Sequence, residues 1–547
     1  MLDISEINVN LSDAVSEASC LDAARATIAK LLGCRVSELS RLELRRKSID
    51  ARKRDRVHCM LTIRVTLADG LDEDTVLSRI PPREQRRVRQ VTKAEPSFPT
   101  ALPTAPLNRP VVVGAGCAGL FAALTLAEAG LEPLLIEQGD DAGRRGRAVE
   151  RFNRTGELDT SSNIQFGLGG AGTFSDGKLS TGTKNPAHRL ILQTLVEAGA
   201  ARDILWDAKP HIGSDILPQV VTNLVARIER LGGTVRFRTR LVDLERAGSG
   251  CIRGITVEFD GRREHIACTQ LILACGHSAR DVFALLQRRE IALKRKTFAM
   301  GVRIEHLQRD IDRALYGSAA GHPALGAAPY SLVAHLPNGR SLFSFCMCPG
   351  GEVVAAASEE GGVVTNGASL HARAGVNANA ALLVNITDED LPGADPLEGV
   401  RLQRACEQAA FALGGGAYRA PAQLVGDFLA QRPSTHGGRI APTYPRGVTW
   451  CDLDKALPAH VIETLRLGIP ALGRKLRGYN DPEAVLTGVE TRSSSPVTVV
   501  RAKDCQAAGC DGLYPCGEGA GISPAASMSA ATDGIRCAEA LIAAIAS

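Results

Sequence analysis

The sequence predicts an α/β protein built on a parallel sheet, with a small α+β unit ahead of it and a strand-rich insert within it. Three observations carry this: a glycine-spaced strand–turn–helix–strand unit starting at Val111, a return of that rhythm near the C-terminus, and its loss in between. Val111 to Val113 is the β-branched run of a buried parallel strand. Gly114, Gly116 and Gly119 follow at G-x-G-x-x-G spacing, Leu120 to Ala129 is Ala/Leu-rich and helical, and Leu134 to Ile136 is a second apolar strand closed by Glu137. The first glycine permits the tight turn, the second lets a pyrophosphate approach the backbone, and the third lets helix and strand pack closely. The helix start offers unpaired N–H groups and a positive dipole end to phosphates. Glu137 is placed to accept from an adenosine ribose, which argues against a 2′-phosphate there. The expected dinucleotide contacts are therefore Gly114, Ala115, Gly116, Cys117, Ala118 and Gly119, with Glu137 and Gln138 at the end of the second strand: a Rossmann-like domain.

Around that unit the chain divides into four parts. Residues 1–80 hold alternating strand candidates and one helix stopped by Gly33, the small N-terminal α+β domain. Residues 81–109, with "PPRE" and "EPSFPTALPTAPLNRP", are expected to be a Pro-rich basic linker. Residues 110–285 together with 484–547 form the nucleotide domain, and 286–483 the inserted α+β substrate or cap domain.

Bulk properties narrow the class. The 547 residues are 44% apolar with a net charge of +4, ordinary for a globular protein and too little charge to argue for nucleic acid by itself. The charge is uneven, however: Arg41 to Arg56 and Arg83 to Lys93 are basic stretches, a solvated strand face or a phosphate-binding surface. No apolar run approaches membrane-spanning length and the N-terminus lacks a signal-peptide pattern, so a cytoplasmic protein with no membrane partner is expected. The 15 cysteines are scattered, without a C-x-x-C pair, and read as buried thiols; no metal is expected.

Two further segments identify the dinucleotide. "LILACGHSA" resembles the strand-plus-turn segment of glutathione-reductase-type flavoproteins, with Ala274, Cys275 and Gly276 passing close to the nucleotide. "DGLYPCGEGAG" resembles the terminal motif of the same class. That resemblance implies that Gly517 and Glu518 meet the ribityl chain and that Gly521 and Ile522 face the pyrophosphate or the pyrimidine edge of the flavin. It also implies that "TRLVDL", with Leu241, lies in a meander beside the adenine. Three matches in the correct order imply FAD as the resident cofactor and a GR-type fold. A second fingerprint is missing, so NAD(P)H is expected only as a transient co-substrate.

A closer similarity joins these with "RRKSIDARKRD", "SSNIQFGLGGAGTFSDGKLST", "FSFCMCPGGEVVAAASEEGGVVTNG" and "ETRSSSPVTVVR". Together they resemble the uncharacterised FAD-dependent dehydrogenase family over essentially the whole chain. The resemblance implies an FAD-dependent oxidoreductase transferring hydride at flavin N5, and it supplies no substrate. Leu168 departs from it, standing where an acid is expected. The rival readings are a flavoprotein acting on RNA, suggested by the basic N-terminal unit, and a non-catalytic FAD-binding redox sensor.

The candidates for chemistry follow. Arg492 is either a cation that stabilises reduced flavin or a structural ion-pair partner. His277 is a proton donor near the cofactor or an ordinary loop histidine. Cys346 and Cys348, at i, i+2 on an apolar strand, are a thiol pair on one face or simply core. Ser175, Asp176 and Lys178 line the flavin pocket, or form an Asp-Gly turn with the lysine solvated. Arg145, with Arg144 and Arg147, neutralises the diphosphate or lies on a solvated loop.

Overall fold

The computed structural model describes residues 1–91, 96–100, 108–179, 185–248, 250–522 and 527–546. Its contacts fall into two compact units, one of residues 1–96, 201–210 and 308–328, the other of 97–200, 211–307 and 329–547.

In the first unit a helix, Glu17–Leu32, packs on a four-stranded antiparallel sheet. The strand order is Leu39–Asp50, His58–Leu67, Leu2–Val9, Val88–Gln90. His58–Leu67 alternates buried and half-buried residues along its whole length, as the period of two requires. The helix begins at a Ser16–Ser19 capping box and ends at Gly33, whose φ of +62° closes it in the left-handed conformation. The linker expected from residue 81 starts later, because Val88–Gln90 pairs with Leu2–Ile4; residues 101–107 of that stretch lie outside the described residues. Much of the basic character is internally balanced: Arg45 pairs with Glu43, Arg52 with Asp50, and Arg87 with Glu84.

The second unit holds two main sheets. Five parallel strands run in the order Leu513–Pro515, Leu271–Leu273, Val111–Val113, Leu134–Ile136, Thr234–Arg236, so the opening fingerprint strand sits at the centre. All but the last are fully buried, which explains their uninterrupted apolar runs. A three-stranded antiparallel meander, Thr239–Arg246, Ile252–Phe259 and Arg262–Ala267, follows the sheet's edge strand in the chain. Helix Cys117–Glu128 is packed closely by helix Ser527–Ala546. A Cβ on Gly534 would lie 2.2 Å from the Ala118 carbonyl oxygen, so only glycine allows that approach.

The other sheet has seven strands, centred on the buried ten-residue strands Phe298–Leu307 and Asn377–Ile386. Val485–Glu490, expected in the nucleotide domain, instead pairs with Phe298–Leu307 and Ala420–Leu424 in this sheet. Its buried run has the look of either sheet, and only the pairing distinguishes them.

Candidate functional site

The sheet's carboxyl ends open on one cavity whose walls come from the nucleotide fingerprint, the 165–178 loop, the meander, the terminal motif and the seven-stranded sheet. Gly114, Gly116, Cys117, Ala118, Glu137 and Gln138 line one end. Leu241 borders it from the meander, and Ala274, Cys275 and Gly276 from the second segment. Glu518, Ile522, His277, Arg492, Ser175, Lys178 and Cys346 also meet there.

Gly116 is the N-cap of helix Cys117–Glu128 and brings no capping side chain, so the first N–H groups of the helix have no intrahelical partner. A Cβ on Gly116 would meet only the Gly170 Cα, at 3.8 Å. The protein itself therefore leaves space for a Cβ here. Gly119 differs: its Cβ would sit 1.8 Å from the Gly114 carbonyl oxygen. Gly114 takes a φ of +99° against the Ala274 carbonyl.

Glu137 is more committed than its sequence position suggests. Its Oε2 accepts from Ala115 N–H at 2.8 Å, and its Oε1 accepts from Gly139 and Gly167 at 2.9 and 3.0 Å. A carboxylate offers about four lone-pair sites, which leaves room for one more donor. Ala115 thus serves by its N–H, beneath the cavity wall.

Several expected ligands are structural instead. Arg145 lies on helix Ala142–Thr155, fully buried, and not on a loop. It donates to the carbonyls of Asn163, Ile164, Leu168 and Gly170 at 2.6–2.9 Å and of Gly167 at 3.3 Å. It shapes the glycine-rich loop from behind and does not neutralise a diphosphate. Asp176 is wholly buried and paired with Lys178 and Arg373; although burial opposes ionisation, those cations hold it down to about 2. It is absent from the cavity wall. Lys178 does line it, half-buried and held protonated against burial by the Cys348 and Cys346 sulfurs and Asp176. Gly517 and Gly521 also pack inside: their Cβ atoms would meet Ala118 Cβ at 2.7 Å and Thr498 Oγ1 at 2.4 Å.

The terminal motif contributes an unsatisfied group. Glu518 Oε1 is buried without a hydrogen-bond partner in the structure of the described residues. Burial pushes this carboxyl up to about 8, against the attraction of Lys296. His277 Nε2 lies 3.7 Å from Glu518 Oε2. Burial, with Arg492, Arg280 and Lys296 nearby, pushes His277 down to about 3, so at neutral pH it is an uncharged imidazole. Its one proton is then a neutral N–H, not the imidazolium proton of a general acid.

Arg492 is an ion-pair partner that also borders the cavity. It lines the cavity, yet its guanidinium is bidentate on Glu407 at 3.0 and 2.8 Å and also reaches Ser358. Glu407 is shared with Arg280, and Glu359 bridges Arg280 to Arg404. Three arginines against two glutamates leave this network with one net positive charge. Burial opposes its ionisation, but Arg492 and Arg280 hold Glu407 down to about 2.

Sequence reasoning missed Arg303 and Glu490. Both are buried in strands of the seven-stranded sheet, joined by Arg303 Nη1 on the Glu490 carboxylate at 2.9 Å. Burial pushes Glu490 up to about 7, against Arg303. The signal was an arginine and a glutamate inside otherwise apolar runs, "GVRI" and "TGVE". Cys346 and Cys348 flank this pair, but a bulge breaks the regular alternation that placed them on one face.

Comparison with known proteins yields three matched families. Residues 109–294 match the family described as FAD binding domain, 297–493 the one described as FAD-dependent protein, C-terminal domain-like, and 1–66 a domain of unknown function. A Clostridium beijerinckii protein described as uncharacterized is 42% identical over 545 residues, covering 98% of each chain. Solved structures give distant likenesses. A triple mutant of the flavin-dependent brominase Bmp2 is 12% identical with a TM-score of 0.37, covering 79% of this chain and 80% of that one. A geranylgeranyl bacteriochlorophyll reductase-like protein from Thermoplasma acidophilum is 12% identical with a TM-score of 0.35, covering 81% of each. At such values these two likenesses say nothing of chemistry.

Proposed function

The chain belongs to the family of FAD-dependent oxidoreductases, and from that premise we propose that it transfers hydride between a small-molecule substrate and N5 of FAD held in the cavity. The observation that carries the assignment is Glu518: a buried acceptor on the cavity wall, without a partner, fits a ribityl hydroxyl donor. The helix start behind Gly116 takes the pyrophosphate, and the remaining acceptor site of Glu137 takes the adenosine ribose. Leu241 and its meander neighbours flank the adenine end. When bound, FAD supplies the two-electron redox chemistry that no side chain can.

The chain's own residues then do three things. The Arg492–Arg280–Arg404 network presents one net positive charge beside the cavity, fixed by Glu407 and Glu359 before any substrate arrives. His277, neutral, donates its Nδ1–H to Ser278 Oγ at 3.0 Å, because the Ser278 hydroxyl is spent on Gln165, and so offers an unprotonated Nε2 without adding charge. The seven-stranded sheet closes the far wall with Phe345, Cys346 and Glu490 and sets which substrates fit. The parallel five-stranded sheet with its meander supports the glutathione-reductase-type reading of the nucleotide domain. All fifteen cysteines are free, which supports a reducing compartment, the cytoplasm.

Anaerobic titration of the purified protein with NADH, NADPH and a metabolite panel tests this reading. At least one donor should bleach the flavin, and an acceptor should restore it. Tightly bound flavin that none of them reduces would favour a redox-inert binding protein instead.

A further inference from the structure

Hydride transfer leaves one group of nucleophilic side chains in the cavity wall without a task. Strand Ser341–Cys348 pairs in register with Asn377–Ile386 as far as Phe345, then slips, so that Cys348 meets Asn379. At the slip Cys346 takes a φ of +40°, a left-handed conformation that side chains rarely adopt. Bulges of this kind re-aim side chains beside active sites. A regular strand would turn residues 346 and 348 to one face. Here Cys346 forms part of the cavity wall and Cys348 is wholly buried, outside that wall.

The two thiols nevertheless stay together. The Cys348 thiol donates to the Cys346 carbonyl oxygen at 3.3 Å. Two cations surround them. Arg303 Nη2 donates to the Cys346 carbonyl at 2.8 Å and approaches Cys348 Sγ at 3.7 Å, while Lys178 Nζ lies 3.9 Å from the same sulfur. Glu490 and Asp176 hold those cations in place from behind. The neighbouring Cys348 thiol, against burial and aided by Lys178 and Arg303, pulls the Cys346 thiol well below its ordinary range, whereas Cys348 is raised. One sulfur is prepared as a thiolate, its neighbour as the thiol that carries the proton.

We propose that Cys346 and Cys348 form a dithiol–disulfide couple that exchanges two electrons with the FAD in the same cavity. The inference rests on the FAD reading and adds to it a second redox centre. The step balances without another reactant. The Cys346 thiolate and the Cys348 thiol join in one S–S bond; FAD takes the electron pair and the Cys348 proton. In reverse, the reduced flavin breaks the S–S bond and returns the proton to Cys348.

The test counts reducing equivalents. Oxidised holoprotein titrated anaerobically with dithionite should take up twice as much reductant per FAD as Cys346→Ser or Cys348→Ser. The peptide spanning both residues should be lighter by two hydrogen atoms in the oxidised protein, and should gain two alkyl groups only after reduction. Equal uptake by all three proteins, or freely alkylated thiols in the oxidised protein, would overturn the couple. Apoprotein treated with diamide decides the matter independently of flavin. Loss of alkylation at both cysteines supports the couple and persistent alkylation overturns it, whereas failure to bind FAD counts only against the functional reading.

Discussion

The two walls of the cavity are made by different means. At the fingerprint end the work is done by backbone: N–H groups at a helix start, carbonyls gathered by Arg145, and glycines where a Cβ would collide. At the seven-stranded sheet it is done by side chains drawn from distant parts of the chain: Cys346 and Glu490 on the wall with Lys178 of the 165–178 loop, and Arg303 and Cys348 buried behind them. The first arrangement suits a ligand whose phosphates and hydroxyls are the same in every turnover. The second places charge and nucleophiles where chemistry varies.

Breaking each wall at its central cation should have the largest effect. Arg303→Met leaves Glu490 buried without its partner and is expected to cost about 3–5 kcal/mol of stability, read by urea unfolding. Arg145→Met strips five carbonyl contacts from the 163–170 loop. It should cost at least about 3 kcal/mol and release the flavin, since hydrogen bonds to charged groups are each worth about 1.5–3 kcal/mol. If Arg145→Met retained both stability and colour, the loop would be shaped by something else.

A smaller effect is expected where the two helices cross. Gly534→Ala forces a methyl against the Ala118 carbonyl and should cost about 1–3 kcal/mol. Its thermal transition should fall while reductant uptake per bound flavin stays that of the wild type.

The smallest effect concerns pH, and its sign differs between groups. Glu518 is raised from 4.5 to about 8, so the folded apoprotein holds a proton that the unfolded chain releases. Its contribution therefore erodes as pH rises from about 5 to 8. Glu518→Gln should flatten that decline, measured as thermal midpoint against pH in the absence of flavin. Glu407, held down to about 2, has the opposite sign: its contribution is lost as pH falls below 4.5. An unchanged slope in Glu518→Gln would show that this carboxyl ionises freely in the folded protein.

The same contrast explains what was legible in the sequence. The fingerprint wall is local. Gly114 to Glu137 spans one strand–helix–strand unit, and its glycines announce their geometry by spacing alone. The meander and terminal strand were readable because each brings its own run of apolar residues and a glycine. Side-chain roles were harder. Nothing in "AGRRGRAVE" says which arginine faces inward, and the amphipathic face of helix Ala142–Thr155 selects Arg145 only once the 163–170 loop lies against it. Arg303 and Glu490 are 187 residues apart and meet through strand register, which no local pattern encodes. The bulge at Cys346 was likewise invisible: "SLFSFCMC" alternates smoothly on paper, and the slip exists only relative to its partner strand. In the small N-terminal unit the helix stopped by Gly33 is legible, whereas the last strand, Val88–Gln90, is hidden among prolines and basic residues.

The central claim is that the cavity beginning at Gly116 is the flavin site. Gly116→Val tests it most directly, because the protein leaves space for a Cβ there and a pyrophosphate would not. Wild-type protein should show a flavin absorbance spectrum with one FAD per chain. The variant should fold with an unchanged thermal transition in the flavin-free state, yet bind FAD at least about 100-fold more weakly, a difference of about 2.7 kcal/mol. A stable, yellow Gly116→Val protein with wild-type affinity would contradict the account.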